Sequence, residues 1–541
     1  MIRSIVCAVL LIVATHARAG RINASDLAMK SSGEKSGAGW MLKGNGFVGT
    51  YIRLDKPGDV NVVVHLAGEQ GAKPLVFISD SSGTKFTLPA GTFLVRVQST
   101  SHTPLKIGAI EITGAKVLND NSDANALAAA DTYIANFRRG AAKVKLDGAT
   151  PGTKFRVKLK RHEFVFGTAV GGFDHNELFI DNPPADSDAA KYQEVIKHEF
   201  NAIVPGNAGK WAYNEKERDV ITMDYIDSLR TFARDNSLKM RMHTLLWNTG
   251  QQPQFIMELV DKAASGDADA KSGLRKQISE RIQYYVRDRA TSYFAMDVLN
   301  EAYHQPKYWQ IFGADGLADI HRECEQAIRD AGAKTKLFVN EFNIFQYSSS
   351  YPFDSGHPDP YANWYREYVE QIQSSRGPVD GIGVQYYALL RDDEKQPHSA
   401  ARIFGAINNL GIGGLPITLT EFGVQTQSNL AHAPNCLQET LRLVFGSPQC
   451  DGFILWGFWK SELWDQATGA AFFEKDWSPT PVFNAWQQQM TEWTTDEELT
   501  VATDGTIEFI GFFGDYDVTV DGKSLPLKLT RGQSDYTVTV K

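Results

Sequence analysis

Residues 294–301, FAMDVLNE, form a short apolar segment that ends in the carboxylate Glu301, and residues 417–421, ITLTE, repeat the pattern with Glu421. Both segments have the length and composition of a buried parallel strand. In a closed parallel barrel, the reactive groups lie where the apolar strands end. The two segments therefore predict a barrel with Glu301 and Glu421 at its mouth.

Further apolar segments surround these two, with helical patterns between them. The eight predicted strands are 164–167, 202–205, 240–247, 293–299, 336–340, 380–385, 416–420 and 452–456. Period-3.6 patterns separate them, for example at 223–233 and 320–328. This alternation predicts an α/β fold, a (β/α)8 TIM barrel. A doubly wound open sheet is the alternative, but no G-x-G-x-x-G turn follows the first strand.

The rest of the chain predicts smaller β units. Residues 20–120 predict a β-sandwich, with strands at 60–65, 75–79 and 92–97 and turns at Gly71, Gly83 and 89–91. Residues 121–160 predict a linker and a β-rich lead-in to a catalytic barrel at 161–495. Residues 496–541 predict a small C-terminal β unit, with hairpin signals at Asp504-Gly505 and Asp521-Gly522.

The β-sandwich has two interpretations. It either binds carbohydrate or is a structural appendage. A sugar platform needs exposed aromatic side chains, and the candidates are Trp40, Phe47 and Tyr51.

Composition and charge limit the partners. The 541 residues carry a formal net charge of -9 and no Lys/Arg run, which argues against a nucleic-acid partner. Residues 1–19 have the pattern of a signal peptide, with Arg3, an apolar stretch and Ala17-Arg18-Ala19. We therefore expect a secreted or periplasmic monomer that is not held at a membrane after cleavage.

The cysteines left after signal cleavage are Cys324, Cys436 and Cys450. Cys436 and Cys450 either form a disulfide, which an exported protein permits, or remain free thiols. The sequence has no Cys-x-x-Cys pair and no calcium-loop pattern, so no metal and no cofactor is expected.

Two carboxylates across one cleft predict glycoside hydrolysis. One acid protonates the leaving oxygen, and a second carboxylate, about 5 to 5.5 Å away in retaining enzymes, attacks the anomeric carbon. Each raises the pKa of the other, which keeps a proton in the site. The Asn300 amide, next to Glu301, can bind a sugar 2-hydroxyl.

Over residues 142–493 the chain resembles the glycoside hydrolase family 10 xylanases. The similar motifs are 242–247 (MHTLLW), 297–302 (DVLNEA), 337–343 (LFVNEFN), 417–422 (ITLTEF) and 455–459 (LWGFW) with Trp464. The tail 511–520, GFFGDYDVTV, resembles the C-terminal segment of plant-type members. The resemblance implies retaining, endo-acting cleavage of β-1,4 linkages in xylan or a related plant polysaccharide, with Glu301 as acid/base and Glu421 as nucleophile.

The resemblance also implies a set of substrate-binding residues. They are Asn207, Lys210, His243, Trp247, Asn248, Gln251, Asn300, Gln385, Tyr387, Trp456 and Trp464. Trp456 and Trp464 would form walls, because pyranose rings present apolar C–H faces to aromatic side chains.

Four positions depart from the family pattern. Gly206 stands in place of a Glu, Asn248 and Tyr387 in place of His, and Met296 in place of Trp. These departures change the hydrogen bonds offered to the sugar, so β-glucan, mannan and aryl glycosides are alternative substrates. A barrel that binds carbohydrate without turnover is the alternative function.

Overall fold

A computed structural model describes residues 20–44, 46–68, 73–99, 103–171, 176–345, 360–392, 398–520 and 522–540. The predicted signal peptide, residue Gly71 and residue Asp521 lie outside these ranges. The chain divides into two compact units between Asn121 and Ser122, close to the boundary expected at residue 120. In the described ranges, no helix has both the length and the apolar character that a membrane crossing requires.

The N-terminal unit is a β-sandwich of two antiparallel sheets, as the alternating pattern predicted. Its strands are β1 Gly20–Asn23, β2 Met29–Lys30, β3 Glu34–Ser36, β4 Gly39–Leu42, β5 Phe47–Leu54, β6 Gly58–Leu66, β7 Pro74–Ile78, β8 Ser81–Ser82, β9 Lys85–Leu88, β10 Gly91–Ser99, β11 Leu105–Thr113 and β12 Lys116–Leu118. One sheet has the order β3-β4-β11-β6-β9, with β1 on β11. The other has the order β12-β5-β10-β7-β8, with β2 on β5.

The three aromatic candidates in this unit are core residues. Trp40 is 6% exposed, and Phe47 and Tyr51 are more deeply buried. The Trp40 indole donates to the Ser32 carbonyl at 2.7 Å. These side chains hold the sheets together, so they cannot form a sugar platform.

The second unit begins with helix α1 Asp123–Phe137 and strands β13 Arg139–Asp147 and β14 Lys154–His162. Ser122 caps α1 by accepting from the Asn125 amide. The helix lies against the barrel, because Asp131 pairs with Arg442 and Asp123 accepts from Ser399. Residues 121–160 are therefore an integral part of the second unit, and their interpretation as a linker was wrong.

The barrel is a closed parallel sheet. Its strands are β15 Val165–Val170, β16 Ala202–Pro205, β17 Lys239–Met242, β18 Leu246–Trp247, β19 Ala295–Asn300, β20 Lys336–Glu341, β21 Gly381–Ala388, β22 Ile417–Val424 and β23 Cys450–Leu455. The pairing runs β17-β16-β15-β23-β22-β21-β20-β19-β18 and closes through β17 on β19. The predicted third strand is split into β17 and β18. Both pieces pair with β19 and together occupy one strand position, so the barrel still has eight strand positions.

Helices surround this sheet. They are α2 Asp188–Glu199, α3 Trp211–Asn214, α4 Asp224–Asp235, α5 Gln254–Ala264, α6 Ala268–Arg281, α7 Lys307–Asp330, α8 Pro360–Ser374, α9 Ala400–Leu410, α10 Ala433–Gly446 and α11 Pro481–Glu492. Helices cover the outer face of the sheet and side chains fill its interior, so the strands are buried on both faces. This burial explains why they are continuous apolar runs in the sequence. Every residue of β15, β19 and β22 is buried.

The C-terminal strands are β24 Asp496–Thr500, β25 Thr506–Phe512, β26 Gly514–Val520, β27 Lys523–Leu529 and β28 Asp535–Thr539. They form two sheets with the lead-in, β25-β13-β28 and β24-β14-β26-β27. Strands β26 and β27, on either side of the predicted turn at residues 521–522, pair antiparallel. The turn at Asp504-Gly505 joins β24 to β25, which lie in different sheets, so that hairpin prediction was wrong.

Of the two alternatives for Cys436 and Cys450, a disulfide or free thiols, the structure has the free thiols. Cys324, Cys436 and Cys450 are all buried, free thiols. Burial raises the pKa of the Cys324 and Cys450 thiols well above its ordinary value, so both stay protonated.

Candidate active site

The carboxyl ends of the barrel strands surround a cavity of about 600 Å³. All predicted site residues line it except Asn248. The role of Asn248 in substrate binding stays a prediction.

Glu301 directly follows β19, as predicted, and has a left-handed backbone with φ of 55°. This conformation costs a non-glycine residue about 1 to 3 kcal/mol and is typical of functional sites. The Glu301 amide donates to the Asn340 carbonyl at 2.8 Å, which fixes the turn. The carboxylate accepts from the Trp247 indole at 2.7 Å and from the Gln385 amide at 3.0 Å.

Glu421 was predicted to follow its strand, but it lies inside β22, which continues to Val424. Its carboxylate is 4% exposed. It accepts from the Tyr387 hydroxyl at 2.7 Å and from the Asn340 amide at 3.1 Å. The expected hydrogen bond from Tyr387 is thus present.

Burial raises the pKa of both carboxyl groups. The pKa of Glu301 is raised although hydrogen bonds from Gln385 and Trp247 lower it, and the nearby charge of Glu341 raises it further. Burial raises the pKa of Glu421 to about 8. The charge of Glu301 adds to this shift, whereas the hydrogen bond from Tyr387 and the charge of Lys210 lower the pKa. The raised pKa of Glu421, to which Glu301 contributes, keeps one proton in the site at neutral pH.

Three amide side chains connect the two carboxylates. Asn340 Nδ2 donates to Asn300 Oδ1 at 2.9 Å as well as to Glu421. Gln385 Nε2 donates to Asn300 Oδ1 at 3.3 Å as well as to Glu301. The Thr420 hydroxyl donates to Asn340 Oδ1 at 2.5 Å, which fixes the amide orientation. Asn340 was given no role from the sequence, although it lies near the carboxyl end of strand β20, where functional groups of a parallel barrel are expected.

Tyr387 fits beside Glu421 because of a glycine on the next strand. Gly423 is opposite Tyr387 in the sheet, and a Cβ atom there would lie 2.6 Å from the tyrosine ring. A larger residue at 423 would displace the ring. The glycine therefore makes room for the hydroxyl that reaches the carboxylate.

The orientation of His243 is fixed by Asp297, which forms a buried ion pair with Arg241. Its Nδ1 lies 3.0 Å from Asp297, which also pairs with Arg241. Burial raises the pKa of Asp297, but Arg241 and His243 outweigh it and hold that pKa below its ordinary value. Burial lowers the pKa of His243, so the ring is neutral and its orientation is set by Asp297. Sequence reasoning gave Asp297 and Arg241 no role.

Lys210 places a cation in the cavity. Its Nζ donates to Asn207 at 2.7 Å and lies 4.9 Å from the centre of the Trp247 ring. Burial lowers the pKa of Lys210 to about 8, although Glu421 and Glu301 favour its charged form.

The aromatic walls have different exposures. Trp456 contacts His243 edge-on, with ring centres 5.3 Å apart. Trp464 is 45% exposed and contacts Tyr387 edge-on at 5.9 Å. An exposed tryptophan at the rim provides an apolar face for a pyranose ring.

The substituted positions change one side of the cavity. Gly206 lines it, and a Cβ atom there would make only ordinary contacts, none closer than 3.4 Å, so the position has room for a side chain. Met296 is fully buried in the barrel. Unpredicted lining residues include Tyr192, Phe342, Asn343, Gln425, Glu462 and Gln466. Tyr192 lies on α2, and Glu462 and Gln466 lie in the segment after β23, beyond the reach of the strand-end rule. Phe342, Asn343 and Gln425 directly follow β20 and β22, so that rule could have found them.

Within the described ranges, no group of three or more His, Cys, Asp or Glu side chains is arranged to hold a metal ion.

The fold and the carboxylate pair define a (β/α)8-barrel protein with a two-carboxylate site. Residues 160–489 match the family described as glycosyl hydrolase family 10. The match covers more than half of the chain, and the chain belongs to this family.

Known proteins resemble this chain over parts of their length. Anti-sigma-I factor RsgI6 of Acetivibrio thermocellus is 27% identical over 71% of this chain and 45% of its own. Endo-1,4-beta-xylanase 1 of Arabidopsis thaliana is 24% identical over 68% of this chain and 34% of its own. The chain thus spans less than half the length of these two relatives. The crystal structure of native xylanase 10B from Thermotoga maritima is 22% identical, with a TM-score of 0.48 over 61% of this chain and 95% of that one.

Proposed function

We propose that the protein is an exported, retaining, endo-acting glycoside hydrolase that cleaves β-1,4 linkages of xylan or a related plant polysaccharide. The observation that supports this most strongly is the presence of Glu301 and Glu421 in one cavity, each held by two side-chain donors. Family membership supports the same chemistry. The N-terminal pattern supports export.

Glu301 is the acid and Glu421 the nucleophile. The Glu301 carboxyl protonates the glycosidic oxygen while Glu421 attacks the anomeric carbon, which forms a glycosyl ester and releases the leaving sugar. Glu301, now a carboxylate, then removes a proton from water, and the water oxygen displaces Glu421. The first step requires the proton on Glu301 and an ionised Glu421. Because the pKa of Glu421 in the free cavity is about 8, this proton must move from Glu421 to Glu301 when the sugar binds.

Two buried polar atoms in the cavity suit a sugar. Asn300 Nδ2 and Gln251 Oε1 have no hydrogen-bond partner within the described residues. A buried polar atom left unpaired costs about 1 to 3 kcal/mol, which a bound hydroxyl would recover. One is a donor and the other an acceptor, and a sugar hydroxyl can pair with either.

The substrate is tested with a panel of arabinoxylan, mixed-linkage β-glucan and glucomannan, measured by reducing-end release. We expect release from at least one, with the product anomer seen first by NMR matching that of the substrate. Inversion would contradict the proposed nucleophile. The absence of release from the whole panel at every pH from 4 to 9 would overturn the proposed activity.

The second candidate is a barrel that binds carbohydrate without turnover. It is favoured by the four departures from the family pattern, which change the polar groups offered to a substrate. Glu421→Gln distinguishes the two functions. A hydrolase loses turnover in this variant, whereas a binding protein has the same sugar affinity as the wild type and no activity to lose.

A further inference from the structure

A buried arginine lies behind the segments that carry Lys210 and Trp247. Arg281 is the last residue of α6, its side chain is fully buried, and it is not among the residues that line the cavity. A π-helical turn, Ile282–Arg287, follows it. Such turns are rare and are frequently found at functional sites. Any effect of Arg281 on the reaction must therefore pass through other residues.

The Arg281 guanidinium donates to backbone carbonyls of two segments. Its Nη2 donates to the carbonyl of Gly209 at 3.0 Å and to that of Thr244 at 3.2 Å. Its Nε donates to the carbonyl of Leu245 at 3.1 Å. One planar group thus bridges the loop after β16 and the link between β17 and β18.

The two segments touch at Gly209. A Cβ atom there would lie 2.0 Å from the His243 carbonyl oxygen, so the backbones are closer than any side chain would allow. Lys210 follows Gly209 in the chain, and its Nζ lies 4.9 Å from the centre of the Trp247 ring. Arg281 therefore holds together, from behind, the contact that places the ammonium group beside the indole.

A second set of bonds fixes Arg281 itself. Its Nη1 donates to the Tyr284 hydroxyl at 3.1 Å, and that hydroxyl donates to Glu215 at 2.9 Å. The same buried carboxylate accepts from the Trp211 indole at 2.9 Å. The guanidinium carbon also lies 4.1 Å from the centre of the Tyr285 ring. A guanidinium held on these sides cannot follow a movement of either segment.

Lys210 and Trp247 both act on the candidate acid. The Trp247 indole donates to Glu301 at 2.7 Å, and this bond lowers the pKa of Glu301. The charge of Lys210 lowers the same pKa. Both effects weaken as the groups move apart, and a displacement of about 1 Å is enough to matter in an active site.

The other groups that act on Glu301 lie on strands β20 to β22. They are Glu341, Gln385, Tyr387 and Glu421. Within the described residues, the hydrogen bonds of Arg281 reach none of these strands. A change at position 281 should therefore reach Glu301 through Lys210 and Trp247.

We propose that Arg281 is a positioning residue for Glu301, because it holds the segments of Lys210 and Trp247 together and so keeps the ammonium group and the indole close to the carboxylate. Its kinetic consequence rests on the proposed function, since only a hydrolase uses Glu301 as an acid. The positioning itself does not depend on turnover.

The first test follows the indole N–H signal of Trp247 by two-dimensional NMR while the pH is varied. The signal is assigned by its absence in Trp247→Phe, and in the wild type it should report the ionisation of Glu301. Arg281→Lys keeps a positive charge but loses the planar group that reaches both segments. In this variant we expect the midpoint to rise by about 0.5 to 1 pH unit, which is part of the shift that a nearby charge and a hydrogen-bond donor produce.

Two further variants make this result specific. Tyr284→Phe removes only a bond that fixes Arg281, so it should move the midpoint in the same direction by a smaller amount, and it decides the matter if Arg281→Lys does not fold. Arg366→Lys is the matched control, because Arg366 is 2% exposed and donates to the Asn409 carbonyl at 3.2 Å on the outside of the barrel. A wild-type midpoint in Tyr284→Phe and in folded Arg281→Lys, or an equal shift in the control, would overturn the proposal.

The second test measures the pH profile of kcat/KM on xylohexaose, whose sugar leaving group needs the proton of Glu301. In Arg281→Lys the basic limb should move up by about 0.5 to 1 pH unit, as the NMR midpoint does. A uniform loss of kcat/KM with the limb in place would mean that Arg281 only supports the fold, and the proposal would fail. If the NMR midpoint moves but no variant, nor the wild type, hydrolyses any substrate, the proposed function fails and the positioning role remains.

Discussion

Replacing Tyr387 with Phe should shift the pH dependence of hydrolysis. The change removes the 2.7 Å hydrogen bond to Glu421 and keeps the ring that packs over Gly423. A hydrogen bond to a charged acceptor contributes about 1.5 to 3 kcal/mol, and one pKa unit corresponds to about 1.4 kcal/mol. Because the bond lowers the pKa of Glu421, its loss should raise that pKa by about 1 to 2 units.

The kinetic sign follows from the role of Glu421. The nucleophile must be ionised, so the acid limb of kcat/KM should move up by about 1 to 2 pH units while the basic limb stays in place. The bell-shaped pH profile of kcat/KM therefore becomes narrower, and its maximum falls. Well below the limb, activity should drop by about 10- to 100-fold, and the loss should shrink as the pH rises.

The measurement is the pH profile of kcat/KM with 4-nitrophenyl β-xylobioside. Tyr386→Phe is the control, since its hydroxyl makes an equally short 2.7 Å bond to His398 outside the cavity. The control should leave both limbs where they are. An acid limb that does not move in Tyr387→Phe, or that moves equally in both variants, would refute the role assigned to this hydroxyl.

Three further changes have defined outcomes. Trp247→Phe removes the donor that lowers the pKa of Glu301, so the basic limb of kcat/KM should move to higher pH, and a shift to lower pH would contradict the assignment of the acid. Asp297→Ala leaves Arg241 buried without its partner and should lower the free energy of unfolding, measured by urea titration, by about 3 to 5 kcal/mol. The control is Asp496→Ala, which breaks an exposed ion pair and should lower the free energy of unfolding by about 1 kcal/mol or less. Gly206→Glu restores the family carboxylate at a position with room for a side chain and should lower KM for xylotriose several-fold with little change in Tm; an unchanged KM would show that the cavity does not bind sugar at this position.

Much of the barrel could be predicted because its strands are buried on both faces. An apolar run such as 453–456 (FILW) lacks the polar alternation of a half-exposed strand, and the helical patterns between the runs favour parallel pairing. The strand-end rule then placed Glu301 and most of the cavity lining. The lead-in was misread because β13 and β14 alternate like an isolated β unit, and their partners lie more than three hundred residues away in sequence.

The hydrogen bonds within the site could not be predicted in the same way, because they depend on irregular pairing. The register shifts between Val384 and Gln385 on β21 and between Leu419 and Phe422 on β22. A bulge re-aims the side chains that follow it, and bulges often lie next to active sites. Glu421 could therefore be assigned to the cleft from sequence, but its partners Asn340 and Tyr387 could not.

The same irregularity explains how a tyrosine can occupy a position where the family has histidine. Gln385 and Tyr387 are two residues apart on β21, so they share a face, and the shifted register places Gln385 opposite Glu421. The amide then reaches Glu301, and the phenol, over the open position at Gly423, reaches Glu421. A phenol beside a buried carboxylate keeps its proton at any pH near neutrality, because burial and Glu421 raise its pKa well above the ordinary value. A neutral donor stabilises the nucleophile without a titration of its own, so Tyr387 should add no limb of its own to the pH profile near neutrality.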